Sequence, residues 1–152
     1  MLFRSVELNG SPQFLVGSTT HAGARGRSIE LEAEEMASRA AAGARFFITP
    51  PVFDPELITP FMPRVDPQRA IVLPTVLLLK SLGMARYIER NMPHIFIPPA
   101  VIDRIEKSPE KVRECVRIVV DLVGRLRAEG FKGVMISTLG WEHKLPEIVE
   151  SL

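Results

Sequence analysis

The sequence holds one cysteine, one tryptophan and one tyrosine in 152 residues, and the shortage of cysteine alone closes off several classes of protein. With only Cys115, no disulfide framework or multi-cysteine metal site can form within the chain, and a reducing, cytoplasmic setting is expected. Neither charge is in excess: 19 Lys and Arg face 18 Asp and Glu, for a formal charge of +1. That balance gives no electrostatic reason for a nucleic-acid or membrane-surface partner. Long apolar runs are missing as well. The longest, Ala70 to Leu79, is interrupted by Pro74 and is far too short to span a bilayer, and the amino terminus carries no signal-peptide pattern, so a soluble protein is expected. His21, His94 and His143 lack metal-ligand spacing, so no metal is expected. His94 reads as a turn residue and His143 as a residue at the rim of the fold. A GxSxG motif is absent, and Ser137-Thr138 has no general base beside it, which removes support for hydrolase chemistry.

What remains is an ordinary globular composition, 46 % apolar and 24 % charged, of a length suited to one domain over residues 1–152. Apolar runs over Gln13–Thr19, Arg45–Thr49, Arg69–Pro74 and Gly133–Thr138 read as four strands separated by helical patterns. Runs such as Phe46-Phe47-Ile48 lack inside/outside alternation and predict a parallel sheet covered on both faces. Helices are expected from Ser28 to Ala42 with Gly43 as the stop, shortly after Pro55, over Ser81–Asn91, from Pro98 to Lys107, after Ser108-Pro109-Glu110, and around Pro146–Leu152. The longest should bury Val112, Cys115, Val116, Val119, Val120, Val123 and Leu126. Pro50-Pro51 should end the second strand. Four βα units form either a small open sheet or half of a (β/α)8 barrel, whose full form takes about 250 residues.

Ligand sites in parallel α/β folds gather at the carboxyl ends of strands, which here are Gly17–His21, Thr49–Asp54, Pro74–Lys80 and Thr138–His143. The first lies in "GSTTHAGARGRS", whose backbone donors, hydroxyls and two arginines could hold a phosphate. Glu32 and Arg39 lie seven residues apart on one helix face. Trp141 could stack on a planar ring.

The stretch "AAAGARFFITPPVFD" resembles the central segment of the methylenetetrahydrofolate reductases, where a helix ending in "AGA" leads to a strand ending in "TQ" and a "VFD"-like turn. The likeness continues through "VLPTVLLLKSLGMARYIERNMPHIFIPPAVIDRIEKSPEK" and "RAEGFKGVMISTLGWEHKLPEIVESL", covering Phe14 to Leu152. The "GWEHKLPEI" ending is similar to the acetogen-like and sulfate-reducer-like branch. The resemblance implies the carboxyl-terminal half of a flavin-containing TIM barrel, with FAD as cofactor and a folate or other pterin as substrate. It further implies Gly17, Thr19, Glu32 and Arg39 as cofactor-binding residues, and Thr49, Pro50 and Trp141 as substrate-side residues. Pro50 stands where the family places a folate-contacting glutamine and has no polar side-chain atom. A second copy, or a chain supplying the amino-terminal half, is expected to complete the site. The alternatives are a non-catalytic derivative that binds a pterin or a protein, and a stand-alone α/β scaffold, including one from a truncated reading frame.

Overall fold

A computed structural model describes residues 13–152. Four parallel strands, β1 (Gly17–Thr19), β2 (Phe46–Pro51), β3 (Ile71–Leu77) and β4 (Met135–Ser137), pair in the order β1-β2-β3-β4. Between them run α1 (Ile29–Ala41), α2 (Leu82–Asn91), α3 (Pro99–Lys107) and α4 (Lys111–Ala128), and α5 (Leu145–Glu150) follows β4. Sequential parallel strands joined by helical crossovers make this half of a (β/α)8 barrel. The residue grammar explains the boundaries. The Ser28 hydroxyl caps α1 by accepting from the Leu31 N–H, and Gly43, at φ +115°, reverses the chain after the helix. The segment after Pro55 forms two short 3-10 turns, Pro55–Leu57 and Thr59–Arg64, instead of an α-helix, because prolines at 55, 60 and 63 remove the amide donors a longer ladder needs.

Among the described residues the amino-terminal part of the sheet departs from expectation in being packed on one face only, whereas Thr75 and Leu77, on the same side of β3 as Ile71 and Leu73, are buried. Phe47 and Val72 are buried beneath the helical layer. Their neighbours in β2 and β3, Phe46, Ile48, Ile71 and Leu73, are half-buried or exposed, and in-register pairing puts these with Gly17 and Thr19 on the opposite face. The apolar run Phe46-Phe47-Ile48 therefore alternates after all: both faces are apolar, but only one is packed. The open face is the side that lines the interior of a closed barrel.

The helical layer holds the core. α4 buries Cys115, Val116, Ile118, Val119, Leu122, Val123 and Leu126. Relative to the expected stripe, Ile118 and Leu122 replace Val112, which is exposed, and Val120, which is half-buried. Cys115 is fully enclosed, and burial, helped by the Glu114 charge, pushes its thiol up to about 11. It should resist thiol reagents in native buffer and react only on unfolding, which a DTNB time course in and out of urea checks.

Pro50 and Pro51 are the last two residues of β2, which ends there as expected, whereas β3 does not stop at Pro74 and runs on to Leu77. A register shift takes up the irregularity: Ile48 pairs with Leu73, whereas Pro51 pairs with Thr75, so β2 carries one extra residue. Two buried threonines hold the bulge. The Thr75 N–H donates to the Thr49 hydroxyl at 3.0 Å, and the Thr75 hydroxyl donates to the Thr49 carbonyl at 2.5 Å. The Thr49 hydroxyl in turn donates to the Pro50 carbonyl at 2.7 Å. The ladder resumes where the Val52 N–H meets the Thr75 carbonyl. Side chains thus supply bonds where the prolines lack donors, and the strands survive.

Candidate functional site

The carboxyl ends of the four strands form one rim, and the sequence-predicted residues divide along it. At the β1 end, Thr20 and Glu32 are both buried. One Glu32 oxygen accepts from the Thr20 hydroxyl at 2.7 Å and from the His21 N–H at 2.6 Å. The other lies 3.8 Å from both His21 Nδ1 and Arg27 Nε, and the Arg27 guanidinium reaches His21 Nδ1 at 3.1 Å. Burial alone would push the Glu32 carboxyl up, but the His21 N–H, the Thr20 hydroxyl and the charges of His21 and Arg27 together hold it below the usual glutamate value. Glu32 therefore faces inward and locks the glycine-rich loop onto α1. The guanidinium of Arg25, the other arginine of that loop, lies 3.8 Å over the Phe96 ring, and the Arg25 backbone N–H donates to the His94 carbonyl. Both arginines thus have partners within the chain.

Arg39 and Thr19 meet directly: the guanidinium donates to the Thr19 carbonyl at 2.6 Å and to Glu35 at 2.9 Å. Val16 and Thr20 bond to Arg45 and Ile48 on the β2 side, so the alternate Thr19 carbonyl points away from β2, and Arg39 covers it. Its side chain is 37 % exposed and its Glu35 partner 47 %, leaving a surface cation that an anionic ligand can reach. Gly17 opens β1 at the amino end, away from the rim, and the Phe46 ring occupies the space its Cβ would need. Its part is to admit that ring, a close approach only glycine allows.

Next along the rim, Thr49 and Pro50 belong to the bulge between β2 and β3. Pro50 is half-buried, whereas the Thr49 hydroxyl is fully used within the strands. Trp141 lies beyond β4, in a turn through Leu139 and Gly140, both with positive φ at 48° and 89°. Among the described residues Leu139 is the one non-glycine residue in that region, a strained conformation that collects at functional sites. The Thr138 hydroxyl and Gly140 N–H both donate to Glu142, at 2.9 and 3.0 Å. Its own backbone N–H, then the Thr138 hydroxyl, and after these the Gly140 N–H and the Lys80 charge hold the Glu142 carboxyl below its ordinary value against a smaller effect of burial. His143 sits 5.8 Å from the Trp141 ring. Lys80, in the segment just beyond β3, donates to the Leu139 carbonyl and stands 5.6 Å from the Trp141 ring centroid. Sequence reading missed Lys80 and Glu142, although their places just after strands three and four were the available signal. Among the described residues no trio of His, Cys, Asp or Glu is placed to hold a metal ion, and no helix is long and apolar enough to cross a membrane.

A half-barrel of parallel strands, with an open interior face and a rim carrying a tryptophan, a lysine and an accessible arginine, defines an α/β domain of the TIM-barrel type. A family model described as methylenetetrahydrofolate reductase matches residues 8–152, and the chain belongs to that family. No curated protein matches it.

Proposed function

We propose that this chain forms the carboxyl-terminal half of a flavin-dependent methylenetetrahydrofolate reductase of folate one-carbon metabolism, with a second copy or a separate half-barrel chain closing the barrel. The open sheet face carries the reading: Phe46, Ile48, Ile71 and Leu73 form an apolar wall that the described residues leave partly uncovered, and among those residues the parallel edges at β1 and β4 can each accept a further strand. The residues fit FAD in part. Arg39, bonded to the Thr19 carbonyl and Glu35 but still half-exposed, supports a phosphate contact in this reading, and the apolar wall suits a planar ring. Glu32 does not fit a ligand contact, because both its oxygens are engaged within the chain. When bound, the flavin would supply the hydride chemistry. The work of this chain's own residues is to hold the ring against the wall, to meet the phosphates at Arg39 and to present Trp141 and Pro50 to the pterin. The cytoplasm, where a single unpaired cysteine is ordinary, is the proposed location.

The single tryptophan makes the test direct. Titrating FAD, and separately a reduced folate, into the purified chain should quench Trp141 emission, and light scattering should show flavin carried by an assembly of about twice the chain's mass. A colourless protein whose emission is indifferent to both ligands, alone and with a candidate half-barrel partner, sinks the proposal. Pro50 favours a second reading, a non-catalytic pterin-binding or protein-interaction subunit, because it offers no hydrogen bond where a folate contact is expected. Folate-dependent oxidation of reduced flavin by the assembled protein rules that reading out.

A further inference from the structure

We propose that Lys80 is a positioning residue that holds the β4 rim turn, and with it Trp141, in the arrangement that meets ligand. Three observations converge on its ammonium group. It donates to the carbonyl of Leu139, the residue held at φ 48°. It lies 5.6 Å from the Trp141 ring centroid, within reach of a cation–π attraction. It also sits 3.9 Å from where a Cβ on Gly140 would stand. A leucine in the left-handed region returns to ordinary backbone unless its surroundings hold it, and Leu139 itself is 58 % exposed, so packing of its side chain does not provide the hold. On one side Glu142 fixes the turn by accepting from Thr138 and Gly140. Lys80 fixes it on the other, from the segment that follows β3. That segment thereby sets the conformation of the loop after β4, beyond the Leu78 N–H to Ser137 carbonyl bond that joins the two strand ends.

This inference deepens the proposed function but is tested without ligand, so the two can fail separately. Trp141 emission and its quenching by acrylamide are measured in the full chain for the natural protein, Lys80→Met and Lys80→Arg. Loss of the ammonium should shift emission to the red and raise the quenching constant about two- to fivefold. Lys80→Arg, which keeps charge and donors, should stay near the natural value. Unchanged emission and quenching in Lys80→Met overturns the proposal, and so does a Lys80→Arg as perturbed as Lys80→Met. Should circular dichroism show Lys80→Met unfolded, Lys80→Gln, with a polar tip on the same half-exposed position, carries the same readout. An unresponsive ligand titration would count against the flavin and folate reading and leave this result standing.

Discussion

Glu32→Ala is expected to destabilise the fold by about 2–5 kcal/mol, a large share of the roughly 5–15 kcal/mol that holds a domain together. The cost comes from what the carboxylate leaves behind: the Thr20 hydroxyl and the His21 N–H both donate to it in a buried setting. The ionic part adds little, because His21 and Arg27 are each about half exposed and screened by solvent. Urea unfolding followed by circular dichroism measures the loss, and Glu32→Gln, which keeps an acceptor oxygen, should lose less. The sign of the pH effect follows from the depressed carboxyl. A group ionised more readily in the folded state stabilises fully above its ordinary value, 4.5 for glutamate, and that contribution fades as the pH falls through the lower folded value. Glu32→Gln should therefore flatten the acid limb of stability below about pH 4.5. An unchanged limb would mean that other carboxylates govern acid unfolding.

Thr75→Val is expected to cost about 1–3 kcal/mol, because valine matches the threonine in shape and removes only the hydroxyl that serves the Thr49 carbonyl. Thr49→Val should cost a similar amount by stranding the buried Thr75 N–H. The double variant should cost less than the sum, with a coupling of about 0.5–3 kcal/mol, since both hydroxyls serve one bulge. Thr75→Ser, which keeps the hydroxyl, should recover most of the loss. Additive valine costs would show that the two threonines act independently and that the bulge is held by packing instead.

Much of this architecture was legible in the order of residues. Four strand positions, the α1 cap at Ser28 and its stop at Gly43 follow from local chemistry, and local chemistry is what the sequence displays. The two features that escaped depend on partners distant in the chain. Pro74 reads as a stop because a proline lacks a donor, and only the tertiary pairing of Thr49 with Thr75 shows how β3 passes it. Likewise Phe46-Phe47-Ile48 signals two apolar faces, while burial depends on what lies opposite each. At the rim, Thr19 and Trp141 were singled out from their places at strand ends and from the family resemblance, and Arg39 from the resemblance alone. Lys80 was passed over because its role rests on a turn 59 residues away, and the inward direction of Glu32 is decided by the loop it binds.

The proline-bearing strands also bear on the chain before it folds. An apolar stretch such as Phe46–Phe53 has the β-propensity and low charge of a segment that recruits identical copies into cross-β stacks. Pro50 and Pro51 withhold two consecutive amide donors, and an intermolecular ladder has no Thr75 placed to make good the loss. The same substitution of side chain for backbone that lets these residues pair inside one folded molecule thus disfavours their pairing between unfolded ones, so replacing both prolines should raise aggregation during refolding more than it changes the native fold.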